Sequence, residues 1–374
     1  KIHCCQSFSD DCRKLMYILD RYIARKFLTT FFFTVLLFTL ISTVIDVSDK
    51  IEEFISERVP IQEIVFDYYM NWIFWINGLL FPLYALIAVI FFTSRMAYRS
   101  EIISIFNAGV SFRRLMVSYL IPGGLIFGLH QVGSHFVIPD GNKRHFTFQY
   151  TYIDSRKDEG KKDNVHIFLQ PGVKAFINNY NPRDTVISDL RLETIHGNRL
   201  TSILKAPKAS WDGQQRLWRL ENYELRSFSG LEESVVTGTV MDTALQLSPE
   251  DFVEYQDLKE MMDTPELLAY ISKQQKRGAR NVRKYQVEFH RRIAEPFTIL
   301  ILTLIGLAVA SRKVRGGVGL HLTLGIGLGA VFLLLSRFSV VFAINQSLHP
   351  MLGVWLPNIL FGIICAVLVR KSQK

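Results

Sequence analysis

Three groups of residues in this sequence have the types and spacing to act on something outside the chain. The first is Arg99-Ser100-Glu101, followed by Ile102, Ile105 and Phe106 at helical spacing and by Gly109, a natural helix stop. A short helix of this kind has an apolar stripe that either rests on lipid headgroups or seats in a groove of another protein. The second group is Lys50 and Arg337, cations at the edge of or inside apolar runs. A charge there is costly unless it snorkels to water, pairs, or meets an anion such as a phosphate, which a guanidinium matches in geometry. The third is Gly325 and Gly329, a small-xxx-small pair that lets helices approach closely, either for static packing or for a gate.

Signatures of an enzyme are missing. No Gly-x-x-x-x-Gly-Lys-Ser/Thr phosphate cradle occurs, and no His-Glu-x-x-His or Gly-x-Ser-x-Gly. ATP and magnesium would therefore be used only through a partner, and this chain itself is expected to carry no cofactor. His290, beside Arg291 and Arg292, reads as an interfacial residue rather than a catalyst. Cys4, Cys5 and Cys12 cluster with His3 at a spacing that fits no regular zinc pattern, and Cys365 lies inside an apolar run, so no metal site is expected. The first fifteen residues read unlike the rest, and Met16 looks like a natural start.

The elements that position these groups follow from the distribution of apolar residues. A bilayer-crossing helix needs roughly 20 of them, because every backbone group must find its partner within the segment. Among the 374 residues, 49% hydrophobic, six stretches qualify: Phe27 to Ile45, Trp72 to Phe92, Leu115 to Ile138, Ile293 to Ala310, Val318 to Phe342 and Leu352 to Val369. At about 1.5 Å per residue, Arg337 stands roughly 28 Å from Val318, near the far end of the fifth run.

Basic residues favour the cytoplasmic side of short connections. Arg21, Arg25 and Lys26 precede the first run, Arg95, Arg99, Arg113 and Arg114 join the second to the third, Arg312, Lys313 and Arg315 join the fourth to the fifth, and Arg370, Lys371 and Lys374 follow the sixth. The segment after the first run is acidic instead, with Asp46, Asp49, Glu52, Glu53 and Glu57. Both termini are thus expected in the cytoplasm and the long polar segment outside. These membrane-flanking clusters largely account for the net charge of +9, and no basic stripe interleaved with aromatics points to nucleic acid.

The polar segment between the third and fourth runs alternates apolar and polar residues in short stretches: Val165 to Phe168, Ala175 to Ile177, Val186 to Ser188, Leu200 to Leu204, Leu217 to Leu220 and Val235 to Thr237. Period two with β-branched and aromatic residues indicates strands. Gln170-Pro171-Gly172, Asn181-Pro182-Arg183, His196-Gly197-Asn198 and Trp211-Asp212-Gly213-Gln214 mark the turns. A sandwich or jelly roll is expected, closed and packed in preference to half-open, followed by a charged helical return with a start at Thr264-Pro265. The expected domains are residues 16–138 with the cytoplasmic helix at about 98–109, residues 139–292, and residues 293–374.

Several of these segments carry a family likeness. Arg99-Ser100-Glu101 followed by Asn107-Ala108-Gly109 resembles the coupling-helix motif of the LptF/LptG permeases, the membrane subunits of the lipopolysaccharide-transport ABC system. Leu19-Asp20-Arg21-Tyr22-Ile23 looks like the family's opening, closer to LptG than to LptF, and Trp218-Arg219-Leu220 and Glu295-Pro296 match its later landmarks. The resemblance covers nearly all of Met16 to Lys374 and implies six transmembrane helices, three plus three, around an inserted periplasmic β-jelly roll in a bacterial inner membrane.

It implies a permease that extracts lipopolysaccharide and works with a partner permease of the family, an LptB-like ATPase dimer, and LptC and LptA-like periplasmic proteins. Arg99, Ser100, Glu101, Ile102, Ile105, Phe106 and Gly109 would then form the ATPase-coupling surface, and Gly325 and Gly329 a lateral gate. LptG-like members place lysines at the outer end of span one, where this chain has acids and Lys50 alone. Lys50 and Arg337 are therefore expected to share the lipid phosphate. The other reading of the topology is a membrane-anchored scaffold whose β domain binds a periplasmic protein.

Overall fold

The computed structural model describes residues 2–153, 163–181, 184–197, 199–230, 232–252, 257–278, 282–312, 314, 317–345 and 348–372, with side chains from Ile18 onward except Glu250. Pro182, Arg183, Asn198, Lys313, Arg315 and Lys374, and the side chains of Cys4, Cys5, Cys12 and Met16, lie outside the described residues. The chain divides into two compact units, Lys1–His145 with Gln286–Lys374 and Phe146–Tyr285.

Six helices are long and apolar enough to cross a membrane. They are α1 (Ile2–Ser56), α2 (Ile61–Tyr98), α4 (Phe112–Ile153), α7 (Val282–Ala310), α8 (Gly317–Ile344) and α9 (Pro350–Ser372), with a short α3 (Glu101–Asn107) between α2 and α4. Each expected apolar run lies in one of them. The sequence predicts an end of the third run at Ile138, before Pro139, but α4 passes through this proline to Ile153. A wider π-type turn at Gly133–Val137 comes just before it and relieves the clash that the ring would make with a regular preceding turn. The fourth spanning helix likewise starts earlier than its apolar run, at Val282.

In the membrane unit α2 is the shared neighbour. Ala85, Ala88, Val89 and Phe92 join Phe27 and Phe31 of α1 and Leu115 and Tyr119 of α4 in one core. Leu86 and Ile90 join Leu302, Phe332 and Phe361 of α7, α8 and α9 in another. Because lipid offers no water, backbone groups released by helix-breaking residues need partners from neighbouring helices. Pro82 cannot bond the carbonyl of Gly78 four residues back, and His130 of α4 hydrogen-bonds that oxygen at 3.0 Å. Pro357 frees the carbonyl of Gly353 in the same way, and the Ser339 hydroxyl of α8 donates to it. Thr298 and Asn358 form a further buried pair at 2.8 Å, with Asn358 also donating to the Ala294 carbonyl at 2.7 Å.

The second unit carries β1 (Asp163–Gln170), β2 (Val173–Asn181), β3 (Val186–His196), β4 (Arg199–Asp212), β5 (Leu217–Ser229) and β6 (Glu232–Thr243), then α5 (Leu258–Met261) and α6 (Thr264–Lys276). Every predicted strand stretch falls in its own strand, and α6 starts at the predicted Thr264, where Asp263 caps the Glu266 amide at 2.8 Å. The expected jelly roll takes the form of one six-stranded antiparallel sheet with each strand beside its chain neighbour, a meander rather than two Greek keys. A crease crosses it along Asn178, Asp189, Pro207, Asn222 and Thr239, positions that the pairing registers skip between paired neighbours. Asp189 and Asn222 have positive φ there, 53° each, which Asp and Asn tolerate. Pro207, lacking an N–H, sits where the ladder is interrupted.

Side-chain parity changes at the crease. On one side Ile187, Ala209 and Leu220 face inward; on the other, Leu190 and Ala206 do, and both sets end in a single core. One end of this core is shut by Phe252, stacked 3.9 Å from Tyr180, and by Trp218, which donates to the Leu247 carbonyl at 2.9 Å. Toward β6 the inner face opens: in the row Ala175, Leu192, Leu204, Leu225, Val236, exposure rises from 0% at Ala175 to 53% at Val236. Among the described residues β6 is the last strand of the sheet and its inner face is exposed, so the sandwich that the sequence favoured as closed is open on this side. Asp251 anchors α6, accepting from Arg277 at 2.8 Å and from the Ser248 amide at 2.9 Å.

Candidate functional site

Chain geometry isolates α3 from the two long helices beside it. Ser100 adopts a left-handed conformation, φ 62°, so α2 ends and the chain turns before Glu101. Gly109, φ 86°, closes the other end with its amide on the Phe106 carbonyl at 2.9 Å, and Ser111 caps α4 through the Arg114 amide. Both turns need backbone that is costly for most residues; glycine supplies it freely at 109.

The apolar stripe of α3 points inward. Ile102 is fully buried, and Ile105 and Phe106 pack half-buried on the core that holds Phe27, Phe92 and Phe112. These three side chains anchor the helix rather than forming its outer surface. The outer surface consists of Ile103, Ser104, Asn107, Ala108 and Gly109, with Tyr98 and Arg99 at its entrance. Sequence periodicity found the stripe, and burial decides which side of it is available.

One tie joins α3 to α1, and a second joins the start of α4 to α1. The Tyr22 hydroxyl donates to Glu101 at 2.9 Å. Asp20 takes Arg114 at 2.6 Å through one carboxylate oxygen and the Ser118 hydroxyl at 2.5 Å through the other. Glu101 opens α3 and Arg114 stands in the first turn of α4, so α1 is held on both sides of the α3–α4 connection. Asp20 and Tyr22 were visible in the sequence only as part of the opening motif; nothing in it pairs them with residues 79 and 94 positions away.

The remaining expected residues are dispersed. Lys50 is engaged by Asp46 at 2.9 Å and by the Tyr68 hydroxyl. Arg337 is exposed on α8, in a stripe with Leu334, Phe338 and Val341, and has no ion-pair partner among the described residues. Lys50 and Arg337 sit on helices that both pack on α2, and neither is the other's partner. Gly325 and Gly329 belong to the α2–α8 crossing within this chain: a Cβ at Gly325 would run into Ile90, and one at Gly329 into Leu83. They set the close approach of these two helices of one subunit.

His290 neighbours a feature that the sequence reading missed. Glu288, nearly fully buried, takes Arg291 at 2.9 Å and Arg292 at 3.1 Å, so one carboxylate is shared by the two arginines that precede the apolar run of α7. An acid three and four residues ahead of two arginines is the signal that could have found it. α1 and α8 are the least buried of the spanning helices, with 11% and 22% of their most apolar stretches buried, and both present long apolar faces outward.

The family described as lipopolysaccharide export system permease LptF/LptG matches residues 21–371. Two relatives, the lipopolysaccharide export system permease protein LptG of Escherichia coli strain K12 and that of Escherichia coli strain O6:H1, are each 21% identical over 378 residues, covering 95% of this chain and 99% of the relative. A match that spans all six membrane helices, the clamped α3 and the β unit makes this chain a member of the LptF/LptG permease family.

Proposed function

We propose that this chain is a permease subunit that extracts lipopolysaccharide from the bacterial inner membrane and passes it to a periplasmic route, driven by ATP hydrolysis on a separate ATPase. The observation that carries the reading is α3, a short helix anchored by its apolar side and exposed on the other, tied to α1 by Tyr22–Glu101 and followed by a second tie to α1, Asp20–Arg114, at the start of α4. A scaffold that merely anchors a β domain has no use for such ties. One membrane crossing, α4, separates α3 from the β unit along the chain, so the two lie on opposite sides of the bilayer. The basic connections put α3 and both termini in the cytoplasm and the β unit in the periplasm.

The ATPase docks on the outer surface of α3, near Arg99, Ser100, Glu101 and Gly109, and binds the ATP and magnesium. A second permease of the family covers the open faces of α1 and α8, and lateral gates form there. Lys50 and Arg337 meet the lipid phosphates, and the half-open inner face of the sheet receives the acyl chains on their way to LptC and LptA-like proteins. Affinity purification of the full chain from native membranes tests this: the ATPase and lipopolysaccharide are expected in the eluate. A stable eluate free of both would favour the scaffold.

A further inference from the structure

Lys50 does not stand free at the outer end of α1. Its ammonium lies 2.9 Å from the Asp46 carboxylate one turn back and 4.8 Å from the centre of the Tyr68 ring, and it donates to the Tyr68 hydroxyl. Tyr68 is fully buried and donates in turn to the second oxygen of Asp46 at 3.0 Å. Phe54 and His145, with ring centres 5.5 Å and 4.7 Å from that of Tyr68, hold it from two sides. The Lys50 and Asp46 side chains keep 23% and 14% of their exposure, so the pair is screened only in part. Any lipid phosphate must share the ammonium with, or take it from, a carboxylate that is itself fixed by a hydrogen bond.

We propose that Asp46 is a specificity-determining residue: it keeps the phosphodiester headgroups of bulk membrane lipids off Lys50 and yields to lipids that carry phosphomonoesters. This rests on Lys50 being a lipid contact. A phosphodiester has the same single negative charge as the carboxylate, so exchange gains no Coulomb energy and leaves Asp46 without its cation in a partly dry site. A phosphomonoester carries about −1.5 to −2 at pH 7 and three strong acceptor oxygens, enough to hold the ammonium alongside the carboxylate or to displace it. Bulk lipids greatly outnumber the cargo, and a bare lysine would be occupied by them through mass action. An internal competitor rejects them, which is specificity by penalising the wrong partner.

The test is competition binding of the full chain in detergent, with a fluorescent phosphomonoester lipid displaced by unlabelled diphosphoryl lipid A or by phosphatidylglycerol. Wild type is expected to prefer lipid A by at least about tenfold. Asp46→Asn should raise phosphatidylglycerol binding by about tenfold and erase most of the preference, and Tyr68→Phe, which keeps the ring, should move it part of the way in the same direction. An unchanged preference in both variants, with Lys50→Ala lowering lipid A binding, overturns the role of Asp46 and leaves Lys50 as a contact. Lipid A binding unchanged in Lys50→Ala overturns Lys50 as a contact, and the filter with it. Near-native melting temperatures in both variants keep misfolding out of the comparison.

Discussion

Tyr22 and Ser339 show how single polar atoms carry distinct tasks in the membrane unit. Tyr22 is partly exposed, so its bond to Glu101 adds at most about 1 kcal/mol to folding, and the proposed function gives it a part in transmission instead. Tyr22→Phe should leave the melting temperature of the full chain unchanged while ATP-driven lipid release by the complex falls several-fold. Equal release would mean that α1 is not driven through this tie. Ser339 has the opposite profile. Ser339→Ala strands the Gly353 carbonyl that Pro357 has already released, at about 1–3 kcal/mol. Pro357→Ala restores a backbone donor, so the double variant should regain most of that loss in a detergent unfolding assay. Sequence made Glu101, Lys50 and Arg337 visible because charges in or beside apolar runs stand out. It hid Asp20, Tyr22 and Ser339, whose meaning depends on partners brought near only by folding.

At the scale of elements, long apolar runs and period-two stretches were legible because burial in lipid and pairing in a sheet each impose a single periodicity. Helix ends were less so: Pro139 reads as a stop, but the π-type turn ahead of it lets α4 continue. The crease was hidden for a related reason. Asp189 and Asn222 look like ordinary polar positions in their strands, and only the aligned registers show that they interrupt the sheet on one line. In the β unit, α6 depends on Asp251, whose burial raises its carboxyl but is outweighed by Arg277 and the Ser248 amide, which hold it below the usual carboxylate range. A folded value below the unfolded one, about 3.9, means the stabilisation is full above that pH and is lost as pH falls through the folded value. Thermal unfolding of the full chain should therefore show an acid-sensitive transition that Arg277→Ala weakens already at pH 7.

On the scale of the molecule, the proposed function needs a surface for receiving force and faces for receiving lipid. The ties from α3 and from the start of α4 reach the near part of α1, and Lys50 stands at the far part of the same helix, so one continuous helix links the two. The glycines of α8 pack it on α2, and α1 and α8 keep outward apolar faces, which the proposed function assigns to a second permease and to lipid. The most direct test is release of lipopolysaccharide from proteoliposomes that contain this chain with its partner permease and ATPase. The account predicts release that requires ATP, and its loss on Glu101→Arg with the six-helix fold intact. ATP-dependent release at the wild-type rate in that variant, or with this chain omitted, would contradict it.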